Sequence, residues 1–220
     1  MKQNIEDYLH SICLLIIDEF NISYKNYENK DLKSIADIKF NEMDIAARIG
    51  YYFPQMAHYT ISDGGKKGVK INHDLFIESK GFKIEIKTPK NWKTPYGTRT
   101  ASKNWSVYQN DFDWLFSEID KGNKGKVAFL IAWFNCVDSL AQMIQLGASS
   151  GSHPLVNEER IQYFPFLHRP TIPTHTADLR YDYDSAANVE FKLNLIGRQG
   201  IYNCKFYGSK EDCFHIACYY

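Results

Sequence analysis

The residues best equipped for chemistry lie between His73 and Lys87, in the string His73-Asp74-Leu75-Phe76-Ile77-Glu78-Ser79-Lys80-Gly81-Phe82-Lys83-Ile84-Glu85-Ile86-Lys87. If this string folds as two strands joined by a Ser-Lys-Gly turn, period-two alternation puts Ile84 and Ile86 on one face of the sheet. Glu85 and Lys87 then share the other face. Leu75 and Ile77 alternate in the same way on the preceding strand, so Asp74 can project toward the Glu85 and Lys87 side. Two acids and a lysine converging on one sheet face are costly to build for stability alone, because like charges repel and each must stay solvated or bind something. A divalent cation relieves that repulsion.

The surroundings are basic although the whole chain is not. Over 220 residues, Lys+Arg and Asp+Glu both number 26, a formal net charge of zero. Between Gly64 and Asn104 there are ten Lys or Arg against three acids, so the charge is segregated around the string. Residues 90 to 105 read as a loop that interleaves Lys90, Lys93, Arg99 and Lys103 with Trp92, Tyr96 and Trp105. Cations beside aromatic plates suit a phosphate backbone and unstacked bases. The alternative is an ordinary solvated loop with anchoring aromatics.

The length fits one domain, and 15% aromatic residues supply a core. Five cysteines at uneven spacing, with no secretory leader, read as reduced thiols in a cytoplasmic protein. The apolar run from Ile12 to Ile17 is too short to span a bilayer. Cys204, Cys213, His215 and Cys218 match no usual zinc spacing and read as packed strand residues. The glycines at 64, 65 and 68 lack the following Gly-Lys-Ser/Thr and helix of a phosphate loop, which excludes a nucleoside triphosphate site of that kind.

The elements that must position the string follow from periodicity. Helical spacing over residues 3 to 20 predicts an amphipathic first helix, and 21 to 36 reads as a connecting loop. A second helix starts after the cap residue Asn41 and runs toward Phe53, with Ile45, Ile49, Tyr52, Phe53 and Met56 buried and Glu42 in its first turn. Beyond the string, a helix is expected from about Ser106 to Asp120, ended near Gly122, with Gln109 and Asp113 on a polar face. Lys126 to Phe134 is a nearly continuous apolar run, as expected of a central strand covered on both faces. Residues 137 to 147 hold a short helix, and three strands, 189 to 196, 201 to 207 and 213 to 219, form a terminal meander.

The order Glu42 on a helix, Asp74 on a strand, Glu85-Ile86-Lys87 on the next strand, then a helix and a strand, resembles the PD-(D/E)xK nuclease superfamily, the restriction-endonuclease-like fold. The resemblance covers about residues 38 to 134. An acid, any residue, then lysine occurs six times, beginning at Glu28, Asp31, Asp37, Glu78, Glu85 and Glu190. Only the triplet at 85 to 87 follows an acid-bearing strand and precedes a helix and an apolar strand; Glu190-Phe191-Lys192 is the serious rival. His73 stands where the family often has proline, a position that ligates nothing.

The resemblance implies an α/β protein built as a single domain over residues 1 to 220. Its core of helix, three strands, helix and strand would carry a β-rich C-terminal extension over about 155 to 220. It implies a Mg²⁺ site, with Mn²⁺ as a substitute, held by Asp74, Glu85, the Ile86 carbonyl and Glu42, and a catalytic set of Asp74, Glu85, Lys87, Glu42 and Gln109. Lys83, Lys90, Trp92, Lys93, Arg99 and Lys103 would contact nucleic acid. The function implied is a Mg²⁺-dependent DNA endonuclease of the restriction or phage-defence kind. An RNA-cleaving toxin, an exonuclease on the same scaffold and a non-catalytic nucleic-acid-binding module are the alternatives. The resemblance also allows a homodimer, since a two-fold axis matches a palindromic site.

Overall fold

The computed structural model describes residues 4–36, 40–52, 56–58, 74–89, 93–94, 97–98, 101–135, 140–149, 151 and 153–220. The first helix, α1 (Ile5–Tyr24), buries Ile5, Tyr8, Leu9, Ile12, Ile16 and Phe20. It is longer than its periodicity suggests, and a short helix α2 (Asn29–Ser34) follows, so 21 to 36 is not simply a loop. Both corrections have one cause. Asn and Lys side chains carry no apolar period, yet Leu32 is buried and anchors α2 against the core.

Helix α3 (Glu42–Gly50) is capped as expected, and reciprocally. The Asn41 side chain accepts from the Met43 amide at 2.8 Å, and Asp44 accepts from the Asn41 amide at 2.9 Å. Ile45 and Ile49 are buried. Tyr52, expected in the core, is 63% exposed because the helix ends at Gly50 and the chain turns out of phase. Phe53 lies outside the described residues.

Strands β1 (Met56–His58), β2 (Leu75–Ile77), β3 (Phe82–Lys87) and β6 (Val127–Phe134) stand side by side in that order. The β2–β3 turn is closed by the Lys80 amide donating to Ile77 and the Gly81 amide to Glu78, with Gly81 at φ +66°, where a side chain would be strained. β1–β2–β3 are antiparallel, whereas β3 and β6 are parallel, with Glu85 opposite Phe129 and Lys87 opposite Ile131. That parallel step requires a crossover, and helix α4 (Ala101–Glu118) supplies it.

α4 begins earlier than its apolar stripe suggests, so residues 101 to 105 belong to it, and β4 (Lys93–Thr94) and β5 (Gly97–Thr98) form a two-stranded ribbon before it. The stretch from 90 to 105 is therefore not one loop. Trp105 is a packed residue, edge-on to Tyr163 at 5.5 Å with the Arg160 guanidinium over its ring at 5.3 Å, and is no plate for a base.

Helix α5 (Leu140–Ile144) is the short helix expected there; helix α6 (Glu158–Ile161), strands β7 (Leu167–His168) and β8 (Arg180–Tyr181) and helix α7 (Tyr183–Ala186) follow. The terminal meander, β9 (Glu190–Leu193), β10 (Tyr202–Tyr207) and β11 (Phe214–Tyr219), does not stand apart. β11 pairs antiparallel with β6, giving one seven-stranded sheet in the order β1-β2-β3-β6-β11-β10-β9. The protein is thus mixed α/β with a mostly antiparallel sheet, and the C-terminal strands extend its central sheet.

Helices cover both faces of this sheet. On one face α1 and α3 bury Ile12, Ile16, Ile45 and Ile49 against Ile84, Ile86, Leu130 and Ile216. On the other, α4 and α5 bury Tyr108, Phe112, Leu115 and Ile144 against Phe129, Ile131 and Tyr219. β6 is buried along its whole length, as its unbroken apolar sequence requires. Among the described residues, no helix is long and apolar enough to cross a membrane.

Candidate active site

β3 alternates strictly. Phe82, Ile84 and Ile86 are buried beneath α1 and α3, and Lys83, Glu85 and Lys87 point toward α4. Opposite them α4 runs antiparallel to the strand. Lys83 meets Glu118 at 2.9 Å near the end of the helix, and Lys87 meets Asp111 at 3.4 Å, seven residues earlier. The spacing closes, since seven helical residues rise about 10 Å and four strand residues about 13 Å.

Lys87 is the centre of the upper cluster. Its Nζ donates to Glu85 Oε1 at 2.9 Å and to the Ile86 carbonyl at 3.1 Å, and lies 3.4 Å from Asp111 Oδ2 and 3.8 Å from Asp74 Oδ2. Asp74, just before β2, is oriented by the backbone, because its Oδ2 accepts from the Ile86 amide at 2.9 Å. The four side chains are only 12 to 19% exposed.

Three carboxylates facing one ammonium carry an excess of two negative charges when all are ionised. The titration behaviour follows from that excess in a largely dry site. Burial pushes the Glu85 carboxyl up to about 8, with Asp74 and Asp111 adding to the rise and Lys87 opposing it. Burial likewise raises Asp111 to about 6 against the pull of Lys87. For Lys87, burial works against the charge, but Asp111, Glu85, Glu42 and Asp74 outweigh it and hold the ammonium above its ordinary range. The site therefore holds a charged lysine among acids whose ionisation is opposed by burial and by one another.

Glu42, the first residue of α3, is half-buried, and its charge acts on Lys87, on Asp111 and on the buried Tyr108 hydroxyl, which places it at the edge of the cluster. Asp74, Glu85, Ile86, Lys87 and Glu42 thus come together as the sequence suggested.

Gln109 does not join them. Two residues before Asp111 on a helix is a rotation of about 200°, and the Gln109 side chain faces Asp113 at 3.2 Å and Tyr163 at 3.4 Å instead. The helix residue that reaches the cluster is Asp111, which the sequence reading missed. Its signal was present, since Asp111 lies three residues after Tyr108 and four before Leu115, a carboxylate on the apolar stripe.

Lys83 is also placed differently from its expected contact with nucleic acid. Glu118 accepts from Lys83, from Lys121 at 3.0 Å and from Asn123 at 2.9 Å, so Lys83 is neutralised within the fold. Lys90, Trp92 and Arg99, and the side chains of Lys93 and Lys103, lie outside the described residues, as does His73.

The donor set suits a hard cation. The Asp74, Glu85 and Asp111 carboxylates and the Ile86 carbonyl are oxygen ligands of the type that magnesium takes. Among the described residues, the buried Asp111 Oδ2 has no partner nearer than the Lys87 ammonium at 3.4 Å, which leaves it acceptor capacity that a cation would use. Among the described residues, no three His, Cys, Asp or Glu side chains form a ready metal cage. Here the Lys87 ammonium occupies the space between the acids.

Comparison of the chain with protein-family models, with curated proteins and with solved structures finds no match.

Proposed function

We infer that the protein is a Mg²⁺-dependent nuclease of the PD-(D/E)xK kind, cutting phosphodiester bonds in DNA as an endonuclease of the restriction or phage-defence type. One observation carries the reading. Lys87 Nζ lies within 4 Å of three largely buried carboxylates, Asp74 and Glu85 from the sheet side and Asp111 from α4, which when all are ionised exceed its charge by two, the charge of one magnesium ion. An ion-pair network built for stability would balance its charges, because an unpaired buried carboxylate costs several kcal/mol.

Asp74, Glu85 and the Ile86 carbonyl would hold the cation, with Asp111 and Glu42 alongside. When bound it supplies Lewis-acid polarisation of the phosphodiester and a lowered pKa for a coordinated water. The chain's own groups do the rest. The Ile86 amide holds Asp74 in orientation before substrate arrives. Lys87, held charged by its acidic neighbours, would offer its ammonium to a non-bridging phosphate oxygen. Phe129 and Ile131 on β6, directly beside Glu85 and Lys87, keep the inner wall dry and so strengthen each of these charge interactions.

Purified protein should nick supercoiled plasmid in Mg²⁺ or Mn²⁺ and lose that activity in EDTA. Cleavage unaffected by chelation removes the metal mechanism. Linear and single-stranded DNA and RNA, tested in parallel, separate the endonuclease reading from exonuclease and ribonuclease alternatives.

A further inference from the structure

A second feature on the same sheet face lies outside the acidic cluster. Where β6 ends, a cavity of about 600 Å³ opens, lined among others by Asn135, Gln142, His153, Arg180, Tyr181 and Tyr183. That volume is in the range of pockets that enclose small ligands. Its place in the fold is set by register. Lys87 is opposite Ile131, and Trp133, two residues further along the same face of β6, donates its indole N–H to the Tyr181 hydroxyl at 3.0 Å. Each such two-residue step advances about 6.6 Å. The cavity therefore lies beyond the carboxyl end of β6, past the level of Lys87 on β3.

The lining has a defined chemistry. Tyr181 is stacked through its neighbours, nearly parallel to Phe206 at 5.9 Å and 7° and to Trp133 at 6.3 Å and 20°, so its ring is held as a rigid plate and remains half-buried at the cavity. Tyr183 stands 5.3 Å from it at 40°. Asn135 and Gln142 bring amides to the lining, and the Asn135 amide meets the Tyr183 hydroxyl. Arg180 uses Nη1 on the Ala177 and Leu179 carbonyls at 2.6 and 2.8 Å, which orients the guanidinium. Among the described residues it has no acidic partner, and none of the described residues lining the cavity is acidic. Fixed aromatic plates, amides and an oriented cation without a counter-ion suit a base with its phosphate.

We propose that this cavity is a nucleotide subsite, taking one deoxynucleotide of the substrate strand, base against the Tyr181 and Tyr183 side chains that line it and phosphate on Arg180, and so setting which phosphodiester reaches Lys87. The proposal rests on the nuclease reading for its substrate, but it can fail separately.

The test is titration of deoxyadenosine, deoxyguanosine, thymidine and deoxycytidine 5′-monophosphates into the full chain in EDTA, read by calorimetry and ligand-detected NMR. At least one should bind at about 1 mM or tighter. Arg180→Ala, an exposed position unlike the packed Tyr181, should weaken it about tenfold with an unchanged melting temperature, and Gln142→Ala should alter the preference among the four. Absence of binding by all four, or equal binding by wild type and both variants, overturns the subsite. An Arg180→Ala protein that no longer melts as wild type is replaced by Arg180→Lys, which should keep the fold and lose the forked contact; full affinity in that variant also overturns it. Nucleotide binding by a protein that cuts no plasmid would sink the nuclease reading and leave the subsite standing. Plasmid cleavage with no nucleotide binding would do the reverse.

Discussion

Glu85-Ile86-Lys87 on β3 and Glu190-Phe191-Lys192 on β9 are nearly the same chemical string on strands of one sheet, and their surroundings could hardly differ more. β3 is an inner strand, flanked by β2 and β6, with α4 lying over its polar face, so Glu85 and Lys87 are pressed against Asp74 and Asp111. β9 is the outer strand of the opposite side. There Glu190 accepts from the Tyr220 hydroxyl at 2.6 Å and the Asn203 amide at 3.3 Å, and Lys192 is exposed. Glu85, in its buried cluster, is driven to about 8. A triplet acquires chemistry when burial and neighbouring carboxylates stop its charges from being satisfied by water, and position in the sheet decides that.

The largest effect that would break this contrast is its reversal. Lys87→Ala should reduce plasmid cleavage by on the order of 10³-fold, whereas Glu190→Ala should leave the rate within about twofold, since a surface position away from the cluster has little to contribute. If Glu190→Ala inactivates and Glu85→Ala is silent, the site belongs on β9.

The next test concerns which helix residue completes the β3 side. Asp111→Asn should lower cleavage by about 10- to 100-fold and weaken Mg²⁺ binding measured by calorimetry, with Gln109→Ala close to wild type. The opposite ranking would return the supporting role to Gln109.

A smaller effect is thermodynamic. The Glu85 carboxyl moves from 4.5 when unfolded to about 8 when folded, so the folded state prefers the proton. Its contribution to stability is fully present below 4.5 and is lost as the pH rises through about 8. The metal-free protein should melt several degrees lower at the top of that window than at the bottom. Glu85→Gln should flatten the slope, and Mg²⁺ should raise the melting temperature most at the alkaline end. A profile identical in wild type and Glu85→Gln would mean that the carboxyl is not buried as described.

The smallest change is expected at Lys83, the other lysine of the same face. Its ammonium pairs with Glu118 and is about a third exposed, so Lys83→Ala should cost under about 1 kcal/mol in denaturant melts and leave cleavage nearly intact. A loss matching that of Lys87→Ala would extend the active face down the strand.

What could be read from the chain beforehand divides along physical lines. β6 and α1 were legible because an unbroken apolar run or a 3.6-residue stripe records burial directly. The Asp74, Glu85 and Lys87 face was legible because alternation has a period of two. Asp111 stands among apolar neighbours, whereas Gln109 and Asp113, four apart, form the more obvious polar pair; an acid on an apolar stripe is the stronger clue. The pairing of β11 with β6 was not legible at all, since partners distant in sequence leave no local trace. Nor was the helical character of 101 to 105, where no apolar stripe announces the start of α4.

That pairing bears on how the molecule reaches its native state. β6 is buried along its whole length, yet one of its two hydrogen-bonding sides is supplied by β11, far later in the chain. Until β11 arrives, the most apolar strand of the protein has an open edge, the kind of surface that recruits other chains. Closure of the sheet is therefore a late, long-range event, which topology makes slow. Agents that cover exposed strands should matter most in the interval between the first appearance of β6 and the docking of β11.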